Sequence, residues 1–364
     1  MICGVINMIK IIIADDSVFM RKLLSDLFSQ EPDFVVLDTA SNGKEAIDKI
    51  KKLKPDLVTM DIHMPVMDGL TTLEYLMKDY KIPVVMISSL TKAGADATIK
   101  ALSLGAVDFI EKVSGPLPSI DKIKDEILLK CRAAVNANLV KPFAGTKLVS
   151  NLIKSDHKAM MVSYNNEKLI AIGTSTGGPK ALQQIITQLP LDLPCGVVIV
   201  QHMPAGFTKS LADRLNTLSK LDVKEAENND IIKAGKVFIA PGNYHMTIES
   251  QGEARVIKLN QNPPIASHRP AVDVLFESVA KFGNKVIAVV LTGMGSDGAK
   301  GMQYIKRSGG YSIAEDKSTA VVYGMPKAVA ELGLVDKILP VDAIAAELVQ
   351  LVKNSKIHKT IGGI

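Results

Sequence analysis

Three residue types that together perform acyl transfer punctuate the second half of the 364-residue chain. Ser175 lies in Gly173-Thr174-Ser175-Thr176-Gly177, His202 in Gln201-His202-Met203-Pro204, and Asp297 in Thr292-Gly293-Met294-Gly295-Ser296-Asp297-Gly298. A serine hydroxyl is a weak nucleophile until an imidazole accepts its proton. The imidazole in turn needs an acid to fix its tautomer and steady its cationic form. The G-x-S-x-G spacing lifts a serine above the end of a sheet, and its glycines permit the sharp turn. Other readings of this turn are an ordinary Gly-rich strand–helix connection or a phosphate cradle. A Walker loop fits poorly, because Pro179 stands where that motif needs its lysine.

A second set of chemical groups occupies the first third of the chain. Asp15, Asp16, Asp61, Ser88 and Lys112 each follow or end a short apolar run. Three carboxylates brought together repel one another and call for a hard, oxygen-loving cation, for which Mg2+ is the natural choice. A lysine opposite them would hold a phosphoryl group, and a nearby hydroxyl would donate to it. One aspartate at a strand end is a common cap or turn residue. Five such groups over four strand ends require more than capping.

These residues need elements to hold them. Apolar runs over 9–14, 35–40, 57–60, 84–87 and 107–110 alternate with helical periodicity, the order of a parallel, doubly wound sheet. Ligands gather at the carboxyl ends of such strands, where all five groups fall. From Asn136 to Glu167 periodicity fades, and Lys141-Pro142-Phe143-Ala144-Gly145 punctuates a connector in which His157 reads as a solvated residue. Alternation resumes with a strand before Ser175 and a helix carrying Ala181, Leu182, Ile185, Ile186 and Leu189 after it. Further strands are expected over 195–200, 236–240, 286–291 and 311–314, with a hairpin about Gln251-Gly252. The expected class is α/β, with two doubly wound domains: a five-stranded parallel sheet and a larger, mostly parallel sheet with an antiparallel hairpin. The expected division is an N-terminal extension over 1–8, a first domain over 9–130, a linker over 131–166, a second domain over 167–355 and a tail over 356–364. Met8 is a candidate start, since the first clean strand begins at Ile9.

Composition narrows the function. A net charge of +5 over 364 residues is too small to argue nucleic-acid binding, and no helix-turn-helix signal is present. The three cysteines (Cys3, Cys131 and Cys195) are few and widely spaced, which argues against disulfides and structural zinc and suits a reducing cytoplasm. Cys195 starts a strand and reads as buried. No apolar run reaches transmembrane length, and no basic segment precedes the apolar N-terminal residues. A competing pattern is Gly293-Met294-Gly295-Ser296-Asp297-Gly298, literally G-x-G-x-x-G between a strand and a helix. Glu315 lies about 20 residues on, where a ribose-binding acid belongs. That dinucleotide reading leaves Ser175 and His202 unexplained.

The first constellation, together with Met64-Pro65-Val66-Met67-Asp68-Gly69, resembles the receiver domain of two-component response regulators. The resemblance implies Asp61 as phosphoacceptor and a Mg2+ site of Asp15, Asp16, Asp61 and the backbone carbonyl of His63. It also implies Ser88 as switch hydroxyl, Phe109 as switch aromatic and Lys112 as phosphate-binding lysine. Lys112 is followed by Val113, where such domains usually carry a cis proline. The second half, through its Ser175, His202 and Asp297 motifs and Ala240-Pro241-Gly242, resembles the chemotaxis protein-glutamate methylesterase (CheB) family. Thr174 stands where that family commonly has alanine. This second resemblance implies hydrolysis of glutamate methyl esters on chemoreceptors, with deamidation of receptor glutamines by the same acyl-enzyme route. It implies an oxyanion hole from the Met294 N–H and the Thr176 region, and no cofactor for hydrolysis. The implied partners are methyl-accepting chemoreceptors as substrate and a chemotaxis histidine kinase as phosphodonor. The expected protein is a cytoplasmic monomer without nucleic-acid binding or membrane insertion. His245 and His268 are candidates for a substrate loop, His63 belongs to the receiver turn, and His358 lies in the tail.

Overall fold

The computed structural model describes residues 8–89, 91–112, 120–139 and 168–353. Cys3, Val113, His157 and His358 lie outside them, as does the punctuated connector. The first half runs β1 (Ile9–Ala14), α1 (Val18–Ser29), β2 (Phe34–Ala40), α2 (Gly43–Leu53), β3 (Leu57–Asp61), α3 (Gly69–Asp79), β4 (Val84–Ser88), α4 (Lys92–Leu104), β5 (Asp108–Glu111) and α5 (Ile120–Val135). Local chemistry sets several of these starts. The side chains of Ser17, Asn42, Asp68 and Thr91 each accept from a backbone N–H of the helix that follows, satisfying a donor with no partner inside the helix.

The five strands form a parallel sheet in the order β2-β1-β3-β4-β5. Successive side chains point to opposite faces. Ile11 and Ile13 therefore meet α1 and α5 on one side, while Ile12, Val58 and Met86 meet α2, α3 and α4 on the other.

The second half runs β6 (Leu169–Thr174), α6 (Gly178–Gln188), β7 (Gly196–Gln201), α7 (Phe207–Leu218), β8 (Asp222–Glu225), β9 (Lys236–Ile239), β10 (His245–Gln251), β11 (Ala254–Asn260), α8 (Val272–Ala280), β12 (Val286–Val290), α9 (Ala299–Arg307), β13 (Tyr311–Glu315), α10 (Met325–Glu331), β14 (Lys337–Leu339) and α11 (Val341–Lys353). Its seven-stranded sheet has the order β14-β13-β12-β6-β7-β9-β8, and every pairing in it is parallel. The hairpin β10–β11 forms a separate antiparallel pair. Sequence periodicity passes over β8 and β14. Both are short edge strands, half of whose residues need not be apolar.

From β6 the chain builds outward through β7, then returns to add β12 on the other side of β6. That reversal opens a crevice at the carboxyl ends of β6 and β12, the place where doubly wound sheets bind ligands.

One apolar cluster crosses from the first half to the second, taking in Ile99 and Leu102 of α4, Phe109 of β5, Ile185 and Ile186 of α6, and Phe207 and Leu211 of α7. The Phe109 and Phe207 rings lie 4.5 Å apart, tilted by 33°. Hydrogen bonds flank them, from Ser103 Oγ to Gln183 Oε1 at 3.0 Å and from the Asn138 N–H to the Val321 carbonyl at 2.9 Å. Tilted aromatic pairs contribute about 0.5–1.5 kcal/mol beyond their buried area. A double-mutant cycle of Phe109→Leu and Phe207→Leu in denaturant unfolding should return a coupling energy in that range. Additive single-mutant effects would mean that the rings are neighbours without mutual stabilisation.

Candidate active site

Ser175, His202 and Asp297 follow β6, β7 and β12, three adjacent strands of the larger sheet. Backbone bonds tie the three ends together. The His202 N–H donates to the Thr174 carbonyl at 3.1 Å and the Ser175 N–H to the Thr292 carbonyl at 3.0 Å. The buried Gln201 amide donates to the carbonyls of both Ser175 and His202. Two glycines are needed on steric grounds. Gly177 adopts φ +79° at the entry to α6, a conformation costly for residues with a Cβ. At Gly293 a Cβ would stand 2.8 Å from Ser175 Cβ and 2.3 Å from Met325 Sδ.

The Asp297 carboxylate is almost fully buried, yet every bond it accepts is accounted for. Oδ2 accepts from the Val272 N–H at 2.7 Å and meets His202 Nε2 at 2.7 Å. Oδ1 accepts from the N–H groups of Asp273 and Gly298, both at 2.9 Å. Val272 and Asp273 open α8, so the helix points otherwise unpaired donors and the positive end of its dipole at this acid. Burial pushes the Asp297 carboxyl up, but the His202 hydrogen bond and charge with the two α8 N–H groups outweigh it and hold it below the usual range. The other ring nitrogen, His202 Nδ1, is buried and has no hydrogen-bond partner among the described residues. His268 stacks on the His202 ring at 3.9 Å and 11°. Burial first, and then the neighbouring His202, lower the His268 pKa to about 4, so His268 is neutral at physiological pH and adds no charge beside His202.

Ser175 is 8% exposed. Among the described residues, no hydrogen bond uses the backbone N–H of Thr176 or Met294. The Thr176 hydroxyl donates to Asp108 Oδ2 of β5, so the receiver-like half touches the residue next to the serine. Lys130 of α5 supports this edge. It donates to the Phe109 carbonyl at 2.8 Å and lies over the Phe109 ring.

The G-x-G-x-x-G loop has other uses than a dinucleotide. Its Asp297 is committed to His202 and α8, and Glu315 is buried, accepting from the Thr292 N–H at 2.8 Å and the Thr319 hydroxyl at 3.0 Å. Both Glu315 oxygens are thus engaged within the fold, and the residue is 1% exposed. His245, expected in a substrate loop, is buried instead. Its Nδ1 accepts from the Ala271 N–H and its Nε2 donates to the Pro263 carbonyl, pinning the segment that leads into α8. Cys195 is buried, and burial raises its pKa to about 12, which makes it inert at neutral pH.

In the smaller sheet, carboxylate oxygens of Asp15, Asp16 and Asp61 lie within 4.8 Å of one another. Lys112 Nζ lies 2.7 Å from Asp61 Oδ2 and 3.1 Å from Asp15 Oδ2. Beyond that ion pair, Asp15 Oδ2 is buried and has no hydrogen-bond partner among the described residues. Burial and the Asp61 charge raise the Asp15 pKa. Burial pulls the Lys112 pKa down, but its two acidic neighbours reverse this and raise it. A buried carboxylate cluster with one lysine among three acids fits a divalent cation. His63 is exposed two residues beyond Asp61. Ser88 Oγ donates to the Gly94 carbonyl at 3.1 Å in the first turn of α4.

Residues 170–348 match the CheB methylesterase family, and residues 11–124 match the response regulator receiver domain. The chain is 48% identical over 353 residues to a protein-glutamate methylesterase/protein-glutamine glutaminase of Geobacillus kaustophilus, covering 94% of this chain and 99% of that one. The chain belongs to the CheB family. A second relative with the same designation, from Pyrococcus horikoshii, is 44% identical over 347 residues, covering 95% of this chain and 94% of that one. The crystal structure of the Thermotoga maritima CheB methylesterase catalytic domain is similar with a TM-score of 0.50 and 49% identity, over 50% of this chain and 98% of that one. Among the described residues, no helix is long and apolar enough to cross a membrane.

Within this CheB chain, sequence reading missed the start of α8 as the cradle of Asp297, the contact of Asp108 with Thr176, and Gln201 as a brace. None of them carries a spacing signal, since each acts through backbone groups or across the two halves. The crowding at Gly293 yields a test. Gly293→Ala should cost about 1–3 kcal/mol, because neither Met325 nor the serine turn can retreat freely. Thermal unfolding reads the cost. The Ser175 reactivity of the folded fraction should fall with it, and a neutral substitution would show that the β12 end is looser than its contacts imply.

Proposed function

We propose that the chain is a phosphorylation-controlled hydrolase that removes methyl esters from glutamates of chemoreceptors and deamidates their glutamines, in chemotaxis adaptation. The observation that carries this reading is the His202–Asp297 pair at 2.7 Å, held by the α8 N-terminus on the strand next to Ser175. Residues 9–130 form the receiver and 167–355 the catalytic domain, joined by the linker.

Ser175 Oγ attacks the ester carbonyl carbon while His202 takes its proton. The nitrogen that does so is Nδ1, because Asp297 occupies Nε2. This reverses the trypsin-type arrangement, in which the acid holds Nδ1. The tetrahedral oxyanion is met by the N–H groups of Thr176 and Met294. As the intermediate collapses, the C–O bond to methoxide breaks and His202 returns the proton, releasing methanol and leaving an acyl ester on Ser175. Water then attacks this ester with His202 again as base, freeing the glutamate carboxylate. A glutamine side chain follows the same path with ammonia as leaving group. The hydrolysis uses no cofactor.

Asp61 is the phosphoacceptor and a chemotaxis histidine kinase the donor. Asp15, Asp16, Asp61 and the His63 carbonyl would hold Mg2+, which offsets the charge of the carboxylates and the incoming phosphoryl group. A phosphoryl group on Asp61 competes for Lys112 and draws the Ser88 hydroxyl away from the Gly94 carbonyl. Both movements bear on the interface, because α4 packs on α6 and α7, and Phe109 lies three residues before Lys112. The Asp108–Thr176 bond and the Phe109–Phe207 contact favour the closed arrangement, and phosphorylation favours the open one.

Methanol release from methylated receptor, with and without a small phosphodonor, tests this reading. Ser175→Ala should lose activity on the scale of subtilisin's nucleophile, on the order of a million-fold, while Asp61 still accepts phosphate. Asp61→Asn should keep the basal rate and lose both phosphorylation and its stimulation. Retained turnover in the first variant would remove the nucleophile, and stoichiometric phosphate in the second would move the acceptor.

Removing the receiver, leaving residue 168 onward, should raise the rate about 5- to 150-fold over the unphosphorylated full chain, the range of a 1–3 kcal/mol coupling. A folded, Ser175-reactive truncation no faster than its parent would exclude occlusion as the control.

A further inference from the structure

We propose that Glu315 is a positioning residue for the serine turn: acting through Thr292, its carboxylate sets the placement of Ser175 and hence the rate at which Ser175 is acylated. This rests on Ser175 being the nucleophile. Glu315 ends β13, one strand beyond β12 and two beyond the serine's own strand. Its Oε2 accepts from the Thr292 N–H at 2.8 Å. Thr292 relays the restraint through its remaining polar atoms. Its carbonyl accepts from the Ser175 N–H at 3.0 Å and from Thr174 Oγ1 at 2.9 Å. Its hydroxyl donates to the Thr176 carbonyl at 2.8 Å and accepts from the Val322 N–H at 2.9 Å. The residues before, at and after the reacting hydroxyl are thus all bonded to one threonine whose own N–H is held by Glu315.

The second oxygen links Glu315 to a further element. Oε1 accepts from the Thr319 hydroxyl, which itself accepts from the Val341 N–H at the start of α11 at 3.0 Å. Protonation turns an oxygen of Glu315 into a donor and a weaker acceptor, and the Thr319 hydroxyl has the Asp316 carbonyl at 3.4 Å as an alternative acceptor. The neutral acid turns that hydroxyl aside and leaves a weaker acceptor for the Thr292 N–H, since charge-assisted bonds are roughly twice as strong as neutral ones.

The two forms exchange near neutral pH. Burial pushes the Glu315 pKa to about 7 against the pull of Thr292 and Thr319, with the Asp316 charge adding to the rise. Two further charged residues, Lys180 of α6 and Asp342 of α11, line with Glu315 a cavity of about 110 Å³.

The test is the labelling rate of Ser175 by a fluorophosphonate probe in the full chain with phosphodonor, for wild type and Glu315→Gln. Protonation of His202 and the state of the receiver affect both proteins alike and cancel in the ratio. The amide imitates the neutral acid. The wild-type-to-variant ratio should therefore rise from about 1 at about pH 5.5 to about 5–10 at about pH 8.5, with its midpoint near 7. Asp316→Asn keeps Glu315 and removes a charge that raises its pKa, so the same step in its own profile should move to lower pH. A ratio that does not vary with pH, whether at one or at a constant higher value, would overturn the proposal, the constant higher value marking a merely structural side chain. An unmoved step in Asp316→Asn would overturn it as well. If wild type is not labelled at Ser175 at all, the nucleophile assignment falls and the proposal with it, a result separate from a flat ratio.

Discussion

The catalytic half of this molecule depends on how β12 ends. A strand running out of a parallel sheet leaves backbone donors and acceptors without a ladder partner, and buried groups of that kind must be bonded. Thr292 meets the requirement with its N–H, carbonyl and hydroxyl at once, and the partners it takes are the serine turn, the Glu315 carboxylate and the 318–322 loop. Immediately beyond it, Gly293 has no side chain and lets that strand end approach Ser175. Four residues after Gly293 the same loop delivers Asp297 to His202. Placement of Ser175 and orientation of His202 are therefore one packing problem.

Asp297 shows why a buried acid can remain charged there. Removing a carboxylate from water is costly unless donors replace the lost solvent. The first N–H groups of α8 are free by the geometry of any helix start, and two of them are spent on this carboxylate. His245 anchors the segment entering that helix. Mutations in the helix start would then act on the base through the acid, without touching substrate.

The receiver confronts a related electrostatic problem and solves it differently. Its three aspartates have one lysine among them, and Asp15 Oδ2 is left without a hydrogen bond. That incompletely compensated charge gives an incoming cation and phosphoryl group something to complete. The consequences reach the catalytic half over a short distance, because β5 carries Asp108 against Thr176 and Phe109 against Phe207. Control by phosphorylation needs a contact that differs between two states, and this edge carries a contact to the residue next to Ser175.

Much of this was legible in the chain itself. Alternating apolar runs and helical faces specify two parallel doubly wound sheets, because burial on both sides of a strand demands continuous apolar residues. Strand ends marked by Asp61, Ser175 and His202 follow from the same rule, since ligands and catalytic groups collect there. The tertiary structure alone decided the rest. Edge strands β8 and β14 bury too little to show a pattern. The G-x-G-x-x-G loop and Glu315 fit a dinucleotide site as well as a strand end until packing commits their polar atoms elsewhere. Which nitrogen of His202 meets Asp297, which helix start holds that acid, and which receiver residues touch Thr176 are relations between segments 24 to 95 positions apart. Local spacing carries no information about such pairs, because they are brought together by the order in which strands join the sheet.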